Sequence, residues 1–556
     1  MNRPAVNREI EGYASKTSIN VGEQIDFYVS TNAPFYNLDI YRMGWYQGMG
    51  ARLVTAEKKL KGLLQPMPKS QVENGLLECD WRKSYTLLTH VTWCTGIYVA
   101  KLTESVTQKQ SYILFVVRND AKVSDVVFQL PVTTYQAYNY WGGKSLYDWG
   151  SGDAEQWGGF PGKRAFKVSF DRPYARSNNR AAAYGMGAGE FFCNVQPNSK
   201  STYPISSAGW DYNMVRWLEK QGYDVGYITN IDTHQNNRAV VETSIFISHG
   251  HDEYWSFQMR ENVRKRIGQG GNVAFFSGNT MYWQVRLEDS ELSGSPLRTM
   301  VCYKDRSLDP IKTGRCTVKF REHPLNNPEA KLMGVQHVLD PVDTDYVVTN
   351  ESHWVFDGTS LEYGDKLVGL LGYEVDAISE ASPPNTVVLC SSPVKSLIPD
   401  NFGVFLQRKG QYWTRKGIQF FVKSGFSVTW GRRATIFLGL GILASICCLC
   451  YYLWLSKMIL MVLLMVLGIS FALGILLLEW RGRGGDAKDE TTSDMTLYED
   501  VNGAMVFSSG GIQWSWGLDD FNVPLLRSSR KNTNAEQITA NIIKRFIGNE
   551  VGKPRR

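Results

Sequence analysis

Residues 249–255, HGHDEYW, place two histidines, two carboxylates, a tyrosine and a tryptophan directly after the apolar run SIFIS at 244–248. A run that short and apolar reads as a buried strand, and in open α/β sheets ligand sites gather outside the carboxyl ends of such strands. The turn holds no cysteine, Ser248 belongs to the strand and Ser256 lies beyond Trp255, which disfavours a nucleophile elbow. His251, Asp252, Glu253 and Tyr254 remain as acid, base or metal-binding groups. A carboxylate or phenolate beside a hard cation is held in its charged form, and the cation in turn polarises a carbonyl or acidifies bound water. The same residues have plain structural uses: Asp252 as the cap of a following helix, Tyr254 and Trp255 as packing beneath it, His249 and His251 as hydrogen-bonded core histidines.

A second cluster, TTYQAYNYWGGKSLYDWG at 133–150, gathers Tyr138, Asn139, Tyr140 and Trp141 around two glycines. Aromatic walls exclude water and one amide orients a ligand, so these four residues are expected to line a substrate pocket or, alternatively, to plug a seam between domains. Further along, His353, Glu374 and Asp376 stand near strand ends as candidate bases.

The elements that must position these residues follow from periodicity. Residues 1–118 alternate apolar and polar in GEQIDFYVST, NLDIYRMGW, GIYVAKLT and SYILFVVR, predicting an antiparallel β-sandwich. From 119 the pattern changes to strands alternating with helices: VRWLEKQGYDVGYIT, SIFIS, then SFQMRENVRKRIGQGGNVAFFSG as helix, glycine turn and strand. This predicts a parallel-sheet α/β domain of the glutamine-amidotransferase-like or flavodoxin-like kind, with HGHDEYW and SGN (277–279) at adjacent strand ends. Residues 119–394 form its first part and 495–556 its closing part and C-terminal helix.

Between them, 395–494 reads as an insertion. Ala434–Leu455 and Met458–Leu478 are apolar and each long enough to cross a bilayer of roughly 30 Å at about 1.5 Å per residue. Arg432 and Arg433 before the pair, and Arg481 and Arg483 after it, predict a two-helix hairpin with the soluble parts on the cytoplasmic side and the lipid bilayer as a partner. The formal charge of +6 is the excess of that same segment, twelve Lys and Arg against six Asp and Glu, so the remainder is neutral and no nucleic-acid partner is expected. Nine cysteines without a CxxC pair or zinc spacing fit a reducing compartment, and the opening residues lack the apolar core of a signal peptide.

Taken together, AYNYWGGKSLY, WLEKQGYDVGYITNIDTH, SHGHDEYWS, FFSGN, HWVFDGTSL, GYEVD and FSSGGIQWSWGLD, after an N-terminal EGYASKTSINVGE and IYRMGWYQGMGARLV, resemble the large (beta) subunit of N,N-dimethylformamidase and its relatives. The resemblance implies hydrolysis of small amides or related C–N bonds by a mononuclear iron held by two tyrosines and a glutamate. By motif, one tyrosine is Tyr254 and the other Tyr212, in WDYNMVRWLE. The glutamate is expected downstream of SGN, where residues 284–335 show no matching pattern. Glu374 is then the base that activates water, with His251 and Asp252 orienting the ligands. The partners implied are a small amide-like substrate and a homo-oligomer or small accessory subunit. A non-catalytic protein binding a small molecule or glycan on the same fold is the alternative.

Overall fold

The computed structural model describes residues 3–152, 163–177, 180–194, 208–397 and 491–548. The chain divides into two compact units, Met1–Lys395 with Thr492–Arg556, and Ser396–Thr491. The first unit begins with β1 (Ile10–Ala14), β2 (Ser18–Asn20), β3 (Gln24–Thr31), β4 (Phe35–Met43), β5 (Ala51–Lys61), β6 (Tyr85–Leu88), β7 (Gly96–Glu104) and β8 (Gln110–Arg118). One sheet runs β1-β3-β6, the other β2-β8-β7-β4-β5. Alternation in β4 sends Tyr36, Leu38 and Ile40 inward, where they meet Phe27, Tyr98 and Phe115. All pairings are antiparallel except β2 with β8.

The α/β part follows as β9 (Val126–Leu130), α1 (Val132–Tyr138), β10 (Lys167–Ser169), α2 (Asp211–Lys220), β11 (Val225–Thr229), α3 (Asn230–His234), α4 (Arg238–Glu242), β12 (Ile245–Gly250), β13 (Tyr254–Ser256), α5 (Phe257–Gly268) and β14 (Asn272–Ser277). It continues with β15 (Trp283–Glu288), β16 (Thr299–Val301), α6 (Ala330–Met333), β17 (Gln336–Val347), β18 (Lys366–Ala377), β19 (Val387–Pro393), β20 (Thr492–Glu499), β21 (Met505–Ser508) and α7 (Thr533–Gly548). The main sheet has the order β11-β9-β12-β14-β21-β20-β19. Its first five members are parallel, while β20 and β19 form an antiparallel edge, so the sheet is mixed rather than wholly parallel.

The strands β9, β12 and β14 are buried along their whole length because helices cover both faces. Ile245 and Ile247 join one core and Phe246 the other. After β12 the chain turns through Gly250 at φ +63, and α5 starts at Ser256, whose side chain accepts from the Met259 amide. Asp252, for which capping this helix was the structural alternative, is drawn instead into the protein interior. The antiparallel hairpin β17–β18 lies against the SGN turn, and Gly278 permits the approach: a Cβ there would sit 2.5 Å from the Glu374 carbonyl oxygen.

The expected two-pass membrane topology, with its cytoplasmic domains, is corrected. No helix among the described residues is long and apolar enough to cross a membrane. The amphipathic α7, with 16 residues, reaches about 24 Å and is interrupted by Glu536 and Arg545. The runs 434–455 and 458–478 lie outside the described residues.

Candidate functional site

HDEYW leaves the end of β12 and brings three charged groups into one buried cluster. His251 Nε2 lies 3.3 Å from Glu374 Oε2, delivered by β18, and 3.4 Å from Glu253 Oε2. The Tyr138 hydroxyl, at the end of α1, donates to Glu253 at 2.6 Å. Tyr147 donates to the Tyr138 hydroxyl at 2.8 Å and reaches both Glu253 oxygens at 3.3 Å. Tyr147 and Tyr254 share a hydroxyl–hydroxyl hydrogen bond, and the Lys304 ammonium donates to Tyr254 Oη at 2.6 Å while standing 3.3 Å above the Tyr147 ring centre. Asn279, from the SGN turn, donates its side-chain amide to Glu374 and its backbone amide to Asp376 at 2.8 Å.

Burial and mutual charge set the protonation states. Burial disfavours the charged His251, but Glu374, with Glu253 and Glu190 behind it, raises its pKa to about 10. Against the same burial, His251 holds Glu374 down at about 2. Burial lifts Glu253 above the usual carboxylate range, with Glu374 adding to the rise and His251 opposing it. At neutral pH the arrangement is therefore an imidazolium held by an ionised Glu374. Burial first, then Glu253, pushes Tyr138, Tyr147 and Tyr254 well above the usual phenol range, so in the protein alone they are neutral donors. Lys304 falls to about 7 because desolvation outweighs the attraction of Glu253.

Asp376 stands just behind this cluster, 1% exposed and 3.9 Å from His337 Nδ1, and burial lifts its carboxyl to about 6. A carboxyl raised on folding stabilises the protein while protonated, fully below the unfolded value near 3.8, and that contribution is lost as pH rises through about 6. Asp376→Asn keeps the acceptor for Asn279 and removes the charge. Its stability relative to the native chain should grow by about 2 kcal/mol between pH 4 and 8 in urea unfolding. A difference constant over that range would exclude Asp376 as the titrating group.

Of the residues singled out in the sequence, the fold brings together His251, Tyr254, Glu374 and Tyr138. The others have different surroundings. Asp252 is fully buried and accepts from Gln129, Asn230 and Ser248, tying the ends of β9, β11 and β12 together. Tyr212, on α2, packs among Phe191, Phe192 and Phe521, and its hydroxyl donates to the Gly50 carbonyl in the sandwich. Asn139 donates to Gln136 and to the Pro173 carbonyl and accepts from the Ala175 amide, tying its loop to the segment after β10. Tyr140 donates to the Arg176 carbonyl, and Trp141 Nε1 to Glu11 of the sandwich at 2.7 Å. None of these hydrogen bonds joins the last three to the cluster around His251.

The sequence pointed to Tyr147 only as one aromatic of the 133–150 stretch, and not to Lys304 or to the pairing of Glu253 with the tyrosines. Glu253 had a signal, since it stands inside HDEYW beside a tyrosine. Lys304 had none beyond its type, although it adopts a left-handed backbone at φ +56, an uncommon conformation for a lysine. Among the described residues no group of three or more His, Cys, Asp or Glu is arranged to hold a metal ion. Oxygen donors here come from tyrosine as well as carboxylate.

No curated protein matches the chain. Among solved structures, a chain from one described as "Structural basis of T cell specificity and activation by the bacterial superantigen toxic shock syndrome toxin-1" aligns at 11% identity and a TM-score of 0.13. The alignment covers 19% of this chain and 97% of that one, a likeness too low to carry an argument. The family described as N,N-dimethylformamidase beta subunit-like, C-terminal, matches residues 37–532, which takes in most of β4, all of β5 to β21 and every residue of the cluster. The chain therefore belongs to the N,N-dimethylformamidase beta subunit-like family.

Proposed function

We propose that the chain hydrolyses small amides or related C–N bonds, and that the observation carrying this reading is His251 held between Glu253 and Glu374 beside three tyrosine hydroxyls. Amide hydrolysis needs a base for the attacking water and a proton for the departing nitrogen. Glu374, ionised and in contact with His251, accepts the water proton as oxygen adds to the carbonyl carbon. As the C–N bond breaks, His251 Nε2 gives its proton to the leaving nitrogen, and Glu374 restores it across 3.3 Å. Asn279 keeps the Glu374 carboxylate turned toward the histidine.

The family resemblance implies iron, and the residues present fit such an ion. The oxygens of Tyr138, Tyr147 and Glu253 are 2.6, 2.8 and 3.3 Å apart. Adjacent oxygens around an ion with bonds of ~2.0–2.2 Å have about that spacing. Tyr138, Tyr147 and Glu253 would hold it, as hard oxygen donors suited to a hard cation. Bound there, it would supply Lewis acidity toward the amide carbonyl. Tyr254, the ligand implied by motif, instead bridges Tyr147 and Lys304 and fixes the Tyr147 hydroxyl.

Elemental analysis and visible spectroscopy of the purified chain, with a panel of small formamides and acetamides, test both parts. Stoichiometric iron with a tyrosinate charge-transfer band, together with release of amine, is the expected result. Hydrolysis without iron would retire the metal and keep the acid–base pair. Absence of both would leave a small-molecule-binding protein.

A further inference from the structure

A small cleft, open to solvent at its mouth, lies away from the tyrosine cluster, where the sandwich meets the α/β part. Gly12 to Thr17 and β8 form one wall, and Phe170, Arg172, Tyr174 and Arg298 the other. Its charged lining consists of Lys16, Arg172 and Arg298, with no carboxylate. Asp171, just outside the lining, pairs with Arg298 at 2.8 Å. Two cations in excess at one small cleft form an electrostatic trap for an anion.

The donors converge without acceptors. Arg298 is 6% exposed; its Nε and Nη2 bind Asp171 and the Ala14 carbonyl, while Nη1 has no partner among the described residues. The Tyr174 hydroxyl and the Lys16 ammonium likewise have no hydrogen-bond partner or ion pair among the described residues. Arg172 is 2% exposed and gives four bonds, to Gln136 and to the carbonyls of Asn139, Trp141 and Lys144, but has no carboxylate ion pair among the described residues. A buried guanidinium without a counter-charge is costly, and an anion in the cleft lowers that cost. Burial, with Glu190 adding to it and Arg298 and Arg172 opposing it, keeps the Tyr174 phenol above its usual range, so it is a neutral donor. The one unpaired arm of Arg298 and the Tyr174 hydroxyl each offer a single donor, one for each oxygen of a carboxylate.

We propose that this cleft binds a small carboxylate, held by Arg298 Nη1 and the Tyr174 hydroxyl with Lys16 at the rim. The site is independent of the reaction proposed above. Its occupant would sit beside Arg172, which anchors the loop that follows Tyr138.

The test is calorimetric titration of the full-length protein with acetate, and with phosphate and chloride at matched ionic strength. Lys16→Ala combined with Tyr174→Phe removes two donors that hold nothing else, so its melting temperature without ligand should match that of the native chain. Saturable acetate binding that weakens by about tenfold in the double variant, and is kept in Glu253→Gln, is expected. No saturable acetate binding, equal binding by the double variant, loss in Glu253→Gln, or preference for phosphate or chloride would each overturn the proposal.

Discussion

Replacing Glu253 by glutamine is expected to lower amide hydrolysis by about 10³-fold while leaving the fold intact. Three features meet at this one carboxylate. It accepts the Tyr138 and Tyr147 hydroxyls, it lies 3.4 Å from His251, and it helps keep that histidine protonated. Glutamine preserves the shape, and the backbone amide of residue 253 still donates to Thr134 Oγ1, which pins the turn to α1. What disappears is the negative charge, and with it both the field on His251 and the anionic member of the oxygen set. Steady-state kinetics on the best amide of the panel, with iron content measured on the same preparation, checks this. A variant within a few-fold of the native rate would show Glu253 to be a packing carboxylate, and the acid–base pair would then rest on Glu374 and His251 alone.

The largest stability loss is expected at Arg266→Met. Arg266 is 1% exposed, and its guanidinium donates to the carbonyls of Val240, Thr243, Ser244 and Asn272 at 2.7–3.0 Å. These carbonyls belong to the end of α4, the approach to β12 and the start of β14, so one side chain clamps the two strands whose ends carry HGHDEYW and SGN. Methionine fills the stem but leaves four buried carbonyls unpaired, each costing about 1–3 kcal/mol. Removing a buried charge whose pKa burial has already lowered to about 9 returns part of that. The net expectation is a loss of about 4 kcal/mol in urea unfolding, with little change in the slope. A loss below about 1 kcal/mol would mean that water reaches the carbonyls and that the clamp does not hold the strands.

Local pattern made much of the scaffold legible. The apolar run at 244–248, too short for a helix and followed by a glycine turn, reads as a strand covered on both faces, and that placed HGHDEYW at a carboxyl end. The helix after it was equally readable, though its cap proved to be Ser256. Asp252 was misjudged because a local rule cannot register Gln129 and Asn230, which arrive from other strands and satisfy the carboxylate inside the protein. Tyr212 shows the same limit: α2 begins at Asp211, and the turn of the helix points the phenol toward Gly50 of the sandwich, a contact 162 residues away in sequence.

The sequence by itself determined the family, the two kinds of architecture and the strand end where His251, Glu253 and Tyr254 sit, since these depend on spacing within a few residues. Only the tertiary structure decided which side chains meet. Glu374 reaches His251 because the β17–β18 hairpin packs on the SGN turn over Gly278, and Lys304 and Tyr147 reach Tyr254 from segments 50 and 107 residues distant. Such meetings depend on packing between whole elements, which no spacing along one chain encodes. The shifts in proton affinity that give the cluster its chemistry exist only once those meetings exclude water.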